Sequence, residues 1–215
     1  MSTTLKLVNA TPDDVEVFIT LGAVAGCVPS VNDLPFVTNH INKLQGSFHL
    51  AGNKSISYAP PAGMGFNGNL AFGYAPSNCP TPQYPSGINL GEFILNNGFQ
   101  GSGAQETIDI SAVAGVNAFM RFDLEGGGSW NAGMTRPNVT SFANKAIGEN
   151  TGLVGVFPYA CDNCTASVAP PVCPTRPAGA PNPPQPQSEP ICNVQRDASQ
   201  AGGIVILTFN GFVRS

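Results

Sequence analysis

The chain is built of short runs in which apolar and polar residues alternate, and Gly, Asn and Pro turns separate these runs. A period of two is typical of β-strands with one buried face, whereas helical spacing is hard to find along the chain. Many short strands with frequent turns favour an all-β sandwich or barrel. The clearest runs lie at residues 5–8, 15–21, 48–50, 54–58, 69–74, 91–95, 106–110, 118–124 and 203–209.

Two local features of this pattern predict more than a strand. The first two runs flank a Pro- and Asp-containing turn at residues 9–14, which predicts an N-terminal hairpin. Residues 141–147 (SFANKAI) carry no alternation and predict a short helix.

The composition changes sharply in the last third of the chain. Residues 168–190 contain nine prolines and no apolar periodicity, which predicts an extended or polyproline loop. We expect cross-links to hold down this loop, because burial alone cannot fold it. We therefore predict one domain over residues 1–215, with a small Pro- and Cys-rich lobe at residues 150–195 that is inserted before the last strand. The cysteines of this stretch are Cys161, Cys164, Cys173 and Cys192.

The six cysteines allow 15 disulfide connectivities, and their spacing does not choose among them. Cys27 and Cys79 could pair with each other. Cys161-X2-Cys164 also resembles half of a tetrahedral zinc site, but the other two cysteines of the lobe are widely spread. We predict no metal site and no cofactor. An even cysteine count suits an oxidising compartment and favours secretion, although the N-terminal sequence has no signal-peptide pattern and leaves an intracellular location open.

Charge is sparse, at 10% of the residues, and the formal net charge is −4. The nine basic residues form no cluster, so the sequence gives no phosphate-binding footprint and we exclude nucleic acid as a partner. No apolar run reaches the 18 residues of a membrane helix, and we expect no membrane span. Low charge with abundant Asn and Gly also suits a chain that packs against copies of itself, so self-association stays open.

Read in order, several short motifs resemble the thaumatin-like superfamily, which includes plant defence proteins and related bacterial β-1,3-glucanases. The N-terminal "LKLVN" and "VEVF" resemble the first hairpin of the family, and "GNKSISYAPPAGMGFNGNLAFG" resembles its segment of a turn, a strand, a Pro-Gly loop and a strand. The most specific match is "GEFILN", followed by "IDIS" and "GVNAFM". "YACDNCT" is similar to the cysteine-bearing start of the family's small loop domain, and "LTF" to its final strand.

This resemblance implies a thaumatin-like β-sandwich whose cleft binds a polysaccharide such as β-1,3-glucan. The resemblance to the family's glucanases would make Glu92 the general acid and Asp109 the base. The chain departs from the family at four positions. The cleft Arg and one cleft Asp fall on Pro85 and Ala114, so the acidic cleft is only partly retained. One disulfide of the plant members is missing as a pair, because its positions fall on Thr11 and Asn210.

The residues themselves also single out Glu92 and Asp109. Each stands at a polar position between apolar neighbours, so the two side chains could project onto one face of neighbouring strands. Glycoside hydrolysis requires two such carboxyl groups, one protonated and one ionised. The alternative is that both are polar-face residues that hydrogen-bond to loops. We favour binding without turnover, with an endo-β-1,3-glucanase and a self-assembling structural or storage protein as the alternatives.

Further candidates for the ligand site lie on one strand and in loops. Arg121 and Asp123 alternate on one face of the run at residues 118–124, where they could extend a polar cleft. Alternatively, Arg121 could pair with Asp109 or Asp123 on a solvated face. Aromatic side chains in or beside loops could stack on sugar rings, or could anchor those loops. These aromatic residues are Tyr74, Tyr84, Trp130 and Tyr159.

Overall fold

A computed structural model describes residues 2–74, 88–97, 104–113, 115–132, 138–145, 153–157 and 194–213 of the protein. Fourteen strands and two 3-10 turns, at Val31–Asp33 and Ala198–Gln200, lie within these residues, and no α-helix does. None of the described segments is therefore a helix that is long and apolar enough to cross a membrane. Most of the predicted Pro- and Cys-rich lobe lies outside the described residues, as do Cys79, Cys161, Cys164, Cys173 and Cys192.

The strands form two sheets. The first sheet has five strands in the order β11-β9-β14-β1-β5. Its members are β1 (Thr4–Asn9), β5 (Ser55–Tyr58), β9 (Ala118–Glu125), β11 (Ser141–Ala143) and β14 (Ile204–Phe212).

The second sheet has nine strands, eight of them in the order β10-β13-β8-β7-β6-β2-β4-β3, while the ninth, β12, pairs with β8. Its central members are β2 (Val15–Leu21), β4 (Gln45–Leu50), β6 (Phe66–Tyr74), β7 (Leu90–Leu95) and β8 (Gln105–Ser111). The shorter members are β3 (Asn39–His40), β10 (Asn131–Ala132), β12 (Val156–Phe157) and β13 (Val194–Asp197).

One apolar core lies between the two sheets and makes the fold a β-sandwich. Phe72 of β6 stacks on Phe209 of β14, with their ring centroids 4.9 Å apart. Gly91 of β7 faces Leu207 of β14 so closely that a Cβ atom at residue 91 would lie 2.7 Å from a Leu207 methyl group. Alternate residues of the strands supply this core, as the period-two pattern predicts. The all-β sandwich expected from the sequence is confirmed.

The predicted N-terminal hairpin is wrong. Strand β1 pairs in parallel with β14 and antiparallel with β5, whereas β2 pairs with β4 and β6 in the other sheet. The turn between β1 and β2 therefore crosses from one sheet to the other. Asn9 holds this turn, because its side-chain amide donates to the carbonyls of Asp13 and Leu50 at 2.8 and 3.1 Å. Six of the seven residues of β2 are buried, as expected of a strand paired on both sides.

The predicted helix at residues 141–147 is also wrong for the residues that the structure describes. Ser141–Ala143 is strand β11, which pairs antiparallel with Arg121–Asp123 of β9. Phe142 is buried between two exposed neighbours, and its ring lies 5.2 Å from that of Phe122. Burial of this single aromatic side chain in the sandwich stabilises a strand where local propensity does not.

A buried ion pair within the nine-stranded sheet contacts the residues that precede β1 and β14 of the other sheet. Arg196 of β13 donates from Nε to Oε2 of Glu106 on β8 at 2.6 Å, and both side chains are fully buried. Thr3, just before β1, donates to the second oxygen of Glu106 at 2.7 Å and accepts from Arg196 at 3.0 Å. The guanidinium also donates to the Gly202 carbonyl and lies 4.2 Å from the centre of the buried Trp130 ring. Every polar group of this pair therefore has a partner.

Candidate functional site

Glu92 and Asp109 stand directly opposite each other on the outer face of the nine-stranded sheet. They are register partners in the antiparallel pair β7 and β8, and their neighbours Phe93 and Ile108 point into the core. The same register continues through the two strands beyond β7, because Glu92 is paired with Asn69 of β6 and Asn69 with Thr20 of β2. Thr20, Asn69, Glu92 and Asp109 thus form one straight row across four strands, which we call the polar row.

An open cleft of about 300 Å³ lies over the polar row. Beside the four members of the row, the side chains of Asn67 and Thr107 line it, each two residues from a row member on the same strand. No lysine, arginine or histidine is among the described residues that line the cleft. The complete lining is Thr20, Leu21, Gly22, Asn67, Gly68, Asn69, Glu92, Phe93, Ile94, Thr107 and Asp109.

The two carboxyl groups share a proton at neutral pH. Asp109 is only 7% exposed, and its burial, the charge of Glu92 and a hydrogen bond to Glu92 raise the pKa of Asp109 from 3.8 to about 9. Burial also raises the pKa of Glu92, but the hydrogen bond from Asp109 opposes this rise. Asp109 therefore keeps its proton to a higher pH than Glu92 does. Oδ1 of Asp109 is buried in the cleft and has no hydrogen-bond partner among the described residues.

The neutral side chains of the cleft, like Oδ1 of Asp109, have no hydrogen-bond partner among the described residues. Thr20, Asn67, Asn69 and Thr107 make no side-chain hydrogen bond within the part of the chain that the structure describes. Asn67 and Asn69 are half-buried, whereas the fully buried Asn117 donates to the Phe72 carbonyl at 2.8 Å. Unused amide and hydroxyl groups gathered in one cleft are available for a ligand.

Arg121 and Asp123 lie on β9 in the other sheet, and the structure does not bring them to this cleft. They form an ion pair with each other, with 2.6 Å between Nη2 of Arg121 and Oδ1 of Asp123. Of the aromatic candidates, Trp130 is buried beneath Arg196 and anchors the structure there. Tyr74 ends β6, but its side chain lies outside the described residues, as do Tyr84 and Tyr159.

Sequence reasoning missed the four neutral members of the cleft. Asn67 and Asn69 alternate with glycine and leucine in "FNGNL", which is a visible signal for one polar face of a strand. Thr20 and Thr107 carry no such signal, since only the strand register places them beside the carboxyl pair. Among the described residues, no group of three or more His, Cys, Asp or Glu side chains is arranged to hold a metal ion.

Cys27 is buried and has no disulfide partner among the described residues. Burial raises the pKa of its thiol. Its proposed partner Cys79 lies outside the described residues. The Cys27–Cys79 pairing therefore stays a prediction.

No protein-family model matches the chain, and no curated protein does. Among solved structures, it is similar to the thaumatin-like xylanase inhibitor TLXI, with 11% sequence identity, a TM-score of 0.43 and coverage of 96% of this chain and 99% of that one. It is also similar to the protein elicitor MoHrip2 from Magnaporthe oryzae, with 10% identity, a TM-score of 0.39 and coverage of 97% and 99%. Both matches cover nearly the whole chain, and neither assigns it a ligand or an activity.

Proposed function

We propose that the protein binds a neutral polysaccharide in the cleft over Glu92 and Asp109 without hydrolysing it, and so acts as a recognition or defence protein. The observation that carries this proposal is the set of unpaired amide and hydroxyl groups around a carboxyl pair that retains one proton. β-1,3-Glucan is the first ligand to test, because the sequence resembles the thaumatin-like superfamily.

The chemistry of the cleft fits sugar hydroxyls. A hydroxyl group both donates and accepts hydrogen bonds, and the side chains of Asn67, Asn69 and the two threonines do the same. Binding sites for small polar ligands typically combine apolar walls with a few such groups, and Ile94 supplies a half-buried apolar surface in the middle of this cleft. An anionic polysaccharide fits poorly, because the described lining holds two carboxyl groups and no cation.

The geometry of the carboxyl pair favours binding over hydrolysis. Retaining glycosidases separate their two carboxyl groups by about 5–5.5 Å and inverting ones by about 6.5–9.5 Å, so that a sugar or a water fits between them. Glu92 and Asp109 are direct cross-strand partners, and each alters the pKa of the other, so their carboxyl groups lie side by side on one face of the sheet. A proton held by this pair is less available to the leaving oxygen of a glycosidic bond than that of an isolated acid.

A pull-down on insoluble β-1,3-glucan, with cellulose and chitin in parallel, tests the proposal. We expect the protein to bind at least one of the three polymers and to release no soluble oligosaccharide into the supernatant. Release by the wild type that is lost in Glu92→Gln would contradict the absence of hydrolysis. Failure to bind any of the three would overturn the proposed function, and light scattering across concentration would then test self-assembly.

Replacing Asn69 with alanine should weaken binding to the retained polymer by about 3- to 10-fold, since it removes one side chain's hydrogen bonds to the ligand. Asn210→Ala is the matched control, because Asn210 is exposed on β14 in the other sheet. Both affinities can be measured by depletion from solution at increasing polymer concentration. Equal affinities for the two variants would show that the polymer does not bind in the cleft.

A further inference from the structure

We propose that the ligand is an extended, uncharged β-linked chain that lies across strands β2, β6, β7 and β8, with successive sugar units over Thr20, Asn69, Glu92 and Asp109. This inference rests on the proposed function and adds the direction, the length and the class of the polysaccharide. It follows from the straightness of the polar row, which the strand register fixes.

The spacing of the row suits a repeating polymer. Neighbouring strands lie about 4.8 Å apart, so the row from Thr20 to Asp109 is about 14 Å long. An extended β-1,4-linked pyranose chain, as in cellulose or chitin, repeats at a similar distance, so each strand would present its polar group to one sugar. A compact ligand such as a monosaccharide would contact only one or two members of the row.

A second line of side chains runs beside the row and would contact the same chain. Asn67, Ile94 and Thr107 stand two residues from Asn69, Glu92 and Asp109 on the same strands, and they face the same cleft. The sugar over β7 would rest on the apolar surface of Ile94, while its neighbours would meet Asn67 and Thr107. This arrangement gives hydrogen bonds at both edges of the chain and an apolar contact beneath its middle.

Glycine at residue 22 keeps space for the side chain of Asn67. A Cβ atom at Gly22 would lie 2.9 Å from Nδ2 of Asn67, so even a small side chain there would press on that amide. The Asp109 end is the deeper one, since Asp109 is nearly fully buried. At the other end, the register partner of Thr20 beyond β2 is Gln45 of β4.

The test uses laminari-, cello- and chito-oligosaccharides of two, four and six units, titrated by calorimetry into wild type, Thr20→Val and Thr107→Val. These two variants remove a hydroxyl from opposite ends of the site and keep its shape. Thr208→Val, on β14 in the other sheet, is the matched control. For the wild type, we expect affinity to rise from two to four units and to change little from four to six.

The two variants distinguish the ends of the site. A tetramer that spans the row should lose about 3- to 10-fold in affinity in both Thr20→Val and Thr107→Val. A dimer covers half of the row and should lose affinity in at most one of them. Equal affinity for dimer and tetramer, or a dimer weakened in both variants, would overturn this inference and leave the proposed function standing. If no oligosaccharide and no polymer binds at all, the proposed function itself fails.

Discussion

Replacing Arg196 with methionine is expected to destabilise the protein by about 3–5 kcal/mol, because it leaves the Glu106 carboxylate buried and without its charge partner. The substitution also removes the hydrogen bonds from Arg196 to Thr3 and to the Gly202 carbonyl. In a chain of this size, the melting temperature should fall by about 6–20 °C. Urea unfolding followed by the fluorescence of Trp130, whose ring stacks on Arg196, measures the change directly.

A surface ion pair provides the control for this prediction. Arg121→Met breaks the pair with Asp123, in which the Arg121 side chain is about half exposed, and should cost less than about 1 kcal/mol. A double variant with Glu106→Leu and Arg196→Met should recover much of the loss, since no buried charge then remains. An Arg196→Met protein within about 1 kcal/mol of the wild type would show that the pair does not stabilise the protein as described.

The alternation of apolar and polar residues was sufficient to predict nine of the fourteen described strands, but not the other five or how the strands pair. Each of the predicted runs forms a strand, because a period of two directly sets which side chains are buried. The partner of a strand depends on the rest of the chain, as β1 shows: it pairs in parallel with β14, about 200 residues later. A local pattern contains no information on such a contact, and the hairpin prediction therefore failed.

The same limit applies to the site. The patterns around Glu92 and around Arg121 look alike, with a charged residue between apolar neighbours, yet β7 and β9 belong to different sheets. The buried ion pair did leave a signal in "QETIDIS". Glu106 shares its face with Ile108 and Ile110, whereas Asp109 lies on the opposite face, so alternation alone places one carboxylate in the core. A carboxylate in that position predicts a buried partner, and Arg196 is that partner.

Replacing Asp109 with asparagine should stabilise the protein at alkaline pH, and more at pH 8 than at pH 5. In the folded protein the pKa of Asp109 is raised from 3.8 to about 9, first by burial and then by Glu92. Between these two values the folded state holds a proton that the unfolded state has lost, so stability falls as pH rises through this range. Below pH 3.8 both states are protonated and the penalty vanishes.

Asparagine has nearly the same shape as aspartic acid and never ionises, so Asp109→Asn removes this penalty. We expect a gain of about 1–3 kcal/mol at pH 8, which corresponds to about 2–12 °C in melting temperature, and a smaller gain at pH 5. Urea unfolding of both proteins at the two pH values measures it. Asp123→Asn, on the other sheet, is the matched control. An equal gain at both pH values, or a loss at pH 8, would contradict the raised pKa.

The same variant tests whether the carboxyl pair is kept for binding. A buried acid that destabilises the fold at neutral pH is expected to persist where its function requires it, since the stabilising substitution is a single step away. Asp109→Asn replaces the acid with an amide, which removes the proton shared with Glu92 and changes the donors presented at the deep end of the polar row. We therefore expect it to bind the retained polysaccharide more weakly while it melts at a higher temperature. A variant that is more stable and binds as well as the wild type would separate the carboxyl pair from ligand recognition.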